Sequence, residues 1–151
     1  MSLDYAIPNN VRIEEETTVT ANSTYTILDT EEKHGEVTKG WFSECIVVMN
    51  DPEMELHIVL DDIELVYESP EGVFTVPTSA NPTRLGLAGQ EKSHIQCHLY
   101  DTTNGFYGLT IKVNPVWRFN KRLHIFVKEK SGSNKTITRC RAIYFIDNEQ
   151  S

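Results

Sequence analysis

The chain is predicted to be all-β, a two-sheet sandwich of mainly antiparallel strands, jelly-roll-like, with an extended N-terminal arm. Three observations predict it. Helical i, i+3, i+4 patterning is nearly absent, while short runs rich in β-branched and aromatic residues alternate apolar with polar between turn signals. The parity of neighbouring runs lets them fold back as hairpins with one apolar face. A Pro- and Gly-bearing stretch from Pro70 to Gln90 separates two groups of strands, as a sandwich needs.

Residues 1–10 are polar and carry Pro8 before Asn9-Asn10, which reads as a flexible arm ahead of a single domain over 11–148. Cys45-Ile-Val-Val-Met49 is apolar in both phases, as expected of a central strand. In Met54–Leu60 the even positions are apolar, and in Ile63–Tyr67 the odd ones are. A two-residue turn at Asp61-Asp62 therefore pairs Leu60 with Ile63, Ile58 with Leu65 and Leu56 with Tyr67 on one inward face. A three-residue loop, Thr103-Asn104-Gly105, with Gly105 left-handed, sets Leu99 against Leu109 and Cys97 against Ile111. A third hairpin turns at Ser131-Gly-Ser-Asn134. It puts Leu123, Ile125 and Val127 opposite Ala142, Cys140 and Thr138, and gathers His124, Phe126, Lys128, Arg139 and Arg141 on the other face.

Charge is divided along the chain. Residues 1–71 hold 3 Lys/Arg against 17 Asp/Glu, whereas residues 72–151 hold 11 against 5, within a net charge of −8. That net charge argues against general nucleic-acid binding, which needs dense Lys/Arg against phosphate. No apolar run reaches the ~20 residues of a membrane-spanning helix. No basic start and apolar h-region open the chain, so a cytosolic origin is expected. Three cysteines in strand-like runs, Cys45, Cys97 and Cys140, without C-x-x-C spacing, read as reduced thiols.

No nucleophile motif or phosphate-cradling loop is present, so no enzyme activity and no cofactor are expected. His94 and His98 lie four strand residues apart, roughly 13 Å, too far for one ion to bridge. Asp61-Asp62, with Asp51 and Glu53, match no calcium-loop spacing and read as turn residues. Trp41, Phe42, Trp117 and Phe119 are large aromatics near loop–strand junctions, the composition from which a sugar-stacking site is built, although core or rim packing is the favoured reading. The acidic run Glu14-Glu15-Glu16 and the basic group Phe126, Lys128, Arg139 and Arg141, with Lys121 and Arg122 nearby, are the candidate interface. An acidic edge on one subunit meets a basic face on the next, or the same charges pair within one subunit.

Several segments resemble small accessory structural proteins of tailed-phage virions. They are Thr18–Ile27, Lys39-Gly40-Trp41 opening a long strand, and Leu56-His-Ile-Val-Leu-Asp61, with Asp61-Asp62 where that family commonly has Asp-Gly. Tyr100-Asp101 before Tyr107-Gly-Leu, and Phe119–Val127, complete the pattern over residues 17–146. The resemblance implies a non-enzymatic β-sandwich subunit in a virion, assembled in the host cytoplasm. Its partners would be itself and other virion or assembly proteins. A carbohydrate- or receptor-binding module is the alternative.

Overall fold

The computed structural model describes residues 6–74 and 94–147, with side chains from residue 9 onward. Its elements are β1 (Ala6–Ile13), β2 (Thr17–Val19), β3 (Thr24–Asp29), α1 (Thr30–His34), β4 (Gly40–Met49), β5 (Glu55–Leu60), β6 (Ile63–Glu68), α2 (Pro70–Phe74), β7 (Ile95–Asp101), β8 (Phe106–Phe119), β9 (Leu123–Lys128) and β10 (Lys135–Asp147). One sheet runs β1-β10-β4-β8-β7, with β2 also on β10, and the other runs β3-β9-β5-β6. All ladders are antiparallel.

The pairs β5·β6, β4·β8, β3·β9 and β2·β10 nest around the Asp61-Asp62 turn. The chain is thus one long two-stranded ribbon, tipped by that turn and rolled up so that alternate segments fall in alternate sheets. This is the strand plan of a jelly roll. Between the sheets lie Phe42, Val47 and Met49 of β4, Leu56 and Ile58 of β5, Leu109 and Ile111 of β8, Leu123 and Ile125 of β9, and Ile137 and Tyr144 of β10, all fully buried. Each such side chain contributes about 1.5–3 kcal/mol on removal from water. β4 is central, as its two-phase apolar pattern predicts.

Local chemistry pins the corners. Asp61 and Asp62 both have positive φ (51° and 71°), as a tight hairpin requires. The Asp61 carboxylate accepts the backbone N–H groups of Asn120 (2.8 Å), Lys121 (2.7 Å) and Arg122 (2.9 Å), so the ribbon's tip is tied to the β8–β9 corner. Asp29 caps α1 by accepting from the Glu31 amide (3.0 Å), and Arg122 donates to both its oxygens (2.9 and 2.7 Å). Glu129, only 1% exposed, sits in a knot with Asn22, Ser131 and Gly132.

In that knot the Asn22, Ser131 and Gly132 amides (2.9, 2.7 and 3.1 Å) and the Ser131 hydroxyl all donate to the Glu129 carboxylate. Burial pushes this carboxyl up, but the Ser131 hydroxyl and the three amides outweigh it and bring it from 4.5 down to about 2. The folded value is depressed, so its contribution is complete above 4.5 and lost as pH falls through about 2. Thermal melts of wild type and Glu129→Gln between neutral pH and pH 2 are expected to converge as acid removes what the variant already lacks. Curves that stay parallel would contradict this role.

Four expectations are corrected. Ala6–Asn10 are not arm but part of β1, paired with Asp147–Ile143 of β10, while residues 1–5 lie outside the described residues. At the Asp61-Asp62 hairpin Leu60 faces Ile63 as expected, but a bulge at Leu65 shifts the rest, so Ile58 opposes Val66 and His57 opposes Tyr67. Val66 is then the inward residue, and Ile63, Leu65 and Tyr67 are exposed. The β7–β8 loop has four residues, Thr102–Gly105, because the Asp101 carboxylate accepts from the Thr103 and Asn104 amides. A bulge at His98 leaves Cys97 opposite Leu109. Gly105 is left-handed as expected (φ 74°). Finally, β9 and β10 do not pair at all. The 129–134 connection crosses from one sheet to the other, turned by the Glu129 knot. Of the Pro70–Gln90 connection, Pro70–Phe74 form α2 and the remainder lies outside the described residues.

Candidate functional site

Directly paired residues in antiparallel strands share a face, so the registers lay out the outer surface of the larger sheet. One row reads Arg12, Arg141, Ile46, Thr110 and Gln96 from β1 across to β7. The next on one side is Asn10, Ile143, Glu44 and Lys112, and on the other Arg139, Val48 and Gly108. At ~4.8 Å per strand, the first row spans about 19 Å. Its inward neighbours Cys45, Val47, Ile111, Cys140 and Ala142 are core, which is why these residues face out.

Arg12 and Arg141 are directly opposed, an unfavourable pairing of like charges. Each is answered by one carboxylate: Glu14 lies 3.2 Å from Arg12, and Glu44 lies 3.1 Å from Arg141. Arg139 and Lys112 are exposed and have no ion pair among the described residues. A shallow cleft of about 270 Å³ is lined by the apolar Ile13, Ile46 and Cys140 together with Arg12, Arg139, Arg141 and Glu14. At the β7 end the His98 ring lies across Gly108, where a Cβ would come within 2.5 Å of it, and bonds Thr110 Oγ1 at 2.7 Å. Burial pushes the His98 imidazole below its ordinary pKa.

The candidate interface residues therefore divide. Arg139 and Arg141 lie on the larger sheet, whereas Phe126 and Lys128 lie on the outer face of the smaller one, because β9 and β10 belong to different sheets. The expected single basic face combining all four does not exist. Phe126 stacks flat on His57 (4.6 Å, 8°), whose other neighbour is Tyr67 (4.4 Å). The His57 ring nitrogens lie 3.0 Å from Glu55 and 2.5 Å from Glu64, and Lys130 closes on Glu55 at 2.5 Å. Burial pushes the Glu55 carboxyl up, and Lys130 and His57 overcome it and hold it below the ordinary range. Lys128 is exposed.

Glu15 and Glu16 are exposed in the β1–β2 link, beside the Arg12–Glu14 pair. The acidic run and the arginines thus adjoin on one edge of one subunit, and part of the charge is paired internally. Arg122 likewise goes to Asp29 and Glu31 within the chain.

The remaining candidates take structural places. Asp61 spends its carboxylate on three amides. His94 meets Trp117 edge-on at 5.1 Å. Among the described residues, no three His, Cys, Asp or Glu converge as metal ligands, and no helix is long and apolar enough to cross a membrane. Cys45 and Cys140 are buried free thiols and Cys97 is a partly buried one; the hydrogen bond with Cys140, then burial, raises the Cys45 pKa. Phe42 and Phe119 are core. Trp117 packs against Phe42, and the Arg118 guanidinium covers the Trp41 ring at 4.6 Å.

One surface went unseen in the sequence: the exposed strip Ile63, Leu65 and Tyr67 on β6. Its only signal was the adjacent apolar pair Leu65-Val66, which fits a bulge as well as regular alternation. No family model matches the chain, and no curated protein matches it.

Proposed function

We propose that the chain is a non-enzymatic structural subunit of a virion or similar assembly, joined to copies of itself through charge-complementary surfaces. The carrying observation is the outer face of the larger sheet. There Arg12, Arg139, Arg141 and Lys112 surround Ile46 and Val48, and among the described residues Glu14 and Glu44 alone form ion pairs with them. Flat, mixed arginine–apolar surfaces have the composition of interface hot spots. A jelly-roll strand plan, which recurs in viral capsid domains, supports the virion setting by fold analogy alone. Lectins share that plan, but the Trp41 ring, one candidate for stacking on a sugar, is covered by Arg118. A glycan array that bound wild type and lost binding in Trp41→Ala would reverse this preference.

Light scattering after size exclusion provides the test. Wild type is expected to be oligomeric at low salt and to shift towards single chains as salt screens the contact. Arg139→Glu with Arg141→Glu is expected to weaken association at least tenfold. Its melting temperature should change little, since both side chains are exposed and a surface pair such as Arg141–Glu44 is worth about 0–1 kcal/mol. A wild type that stays a single chain at every salt and concentration, or a double variant that associates normally, would refute the reading.

A further inference from the structure

We infer that the counterpart of the arginine face is the β6 edge of a second copy, an inference that rests on the self-association proposed above. β6 is one of the two edge strands of the smaller sheet. Its Ile63, Leu65 and Tyr67 are 62%, 43% and 53% exposed, three large apolar side chains on one short strand. The Leu65 bulge takes Val66 into the core and leaves Leu65 and Tyr67 outside, while Ile63, beside the turn and opposite Leu60, is exposed at the sheet's edge. Glu64, whose carboxylate also meets His57, stands between Ile63 and Leu65, and Asp62 and Glu68 flank the run. The strip is thus apolar and acidic where the arginine face is apolar and basic. Ile46 and Val48 would receive Ile63 and Leu65, Arg139 and Lys112 would meet Asp62 and Glu64, and Tyr67 offers a ring to a guanidinium.

The strip does not suit its own copy. Symmetric β6–β6 pairing gathers Glu64 and Glu68 of both chains along one seam, and the bulge interrupts the ladder such pairing needs. The strip and the arginine face lie on different sheets, so each subunit presents one of each and the contact is head-to-tail. Repetition of such a contact closes a ring or extends a filament.

Two variants of the full chain test it. Arg139→Ser with Arg141→Ser removes the arginine face, adds no charge that a lysine strip could pair with, and keeps the strip. Ile63→Lys with Leu65→Lys does the reverse. Each alone is expected to run as a single chain at low salt. Mixed in equal amounts, at the highest concentration where each alone stays single, they should give a particle of two chains and nothing larger, because one intact strip meets one intact face. If the strip variant still forms the wild-type oligomer, the β6 assignment is wrong and self-association through the arginines stands. If both variants are single chains and their mixture is too, the contact is not strip on face and the inference falls. A single-chain wild type overturns the underlying reading as well. Should Ile63→Lys with Leu65→Lys lower the melting temperature appreciably, Leu65→Lys alone takes its place with the same outcomes.

Discussion

Gly40→Ala is expected to lower the melting temperature by about 6–12 °C, which corresponds to about 3 kcal/mol in a domain of this size. Gly40 opens β4, between Phe119 of β8 and Ile146 of β10. A Cβ there would lie 2.0 Å from the Phe145 carbonyl oxygen and 2.8 Å from Phe119 Cζ. The Phe119 ring is fully buried and cannot swing aside. The Phe145 oxygen belongs to the backbone of the neighbouring strand, so β10 itself must move away from β4. Phe119→Leu added to Gly40→Ala relieves only the smaller clash and is not expected to restore stability. A two-state thermal melt decides it, and an unchanged midpoint would show that β10 yields there at no cost. Because β4 and β10 carry Ile46, Val48, Arg139 and Arg141, the same variant should also weaken the self-association proposed above.

Asp61→Ala is expected to cost about 2–3 kcal/mol, again read from thermal or denaturant unfolding. Three backbone amides lose their acceptor, and the one on Arg122 is partly buried. Alanine also fits poorly at φ 51°, where Asp is tolerated. Asp61→Gly isolates the two effects: it relieves the backbone and still lacks the carboxylate, so it should recover about 1 kcal/mol and no more. Burial pushes the Asp61 carboxyl up, while the Asn120, Arg122 and Lys121 amides bring it below the ordinary value. This depressed folded value means that the clasp acts fully above the unfolded carboxylate range and is lost as pH falls below it. Asp61→Ala should therefore lose less stability to acid than wild type does. An Asp61→Ala protein as stable as wild type at neutral pH would contradict the clasp.

Much of the fold was legible because alternation in adjoining segments is a local signal. The Asp61-Asp62 turn, the Leu60–Ile63 pair, the left-handed Gly105 and central β4 all follow from residues close in sequence. Alternation does not say whether a connection doubles back or crosses to the facing sheet, since both leave the same residues inward. Ser131-Gly-Ser-Asn134 reads as a hairpin turn, and only the Glu129 carboxylate, bonded back to Asn22, reveals the crossing. That one ambiguity placed Phe126 and Lys128 with Arg139 and Arg141. The bulges at Leu65 and His98 each insert a residue that no periodic count contains, and the first hid the β6 strip. The role of Asp61 was hidden for another reason: its amide partners lie some sixty positions away, while its turn propensity explains it locally.

The nested ribbon also sets an order in time. β5 and β6 meet across two residues, while β2 must find β10 across most of the chain, and each outer pair is brought near only by the pair inside it. β10 stands between β1 and β4, so the larger sheet is discontinuous until that last strand leaves the ribosome. Arg139 and Arg141 arrive with it. A chain cut short before β10 therefore carries neither arginine nor a continuous larger sheet, so on the self-association proposed above it would have no face to offer.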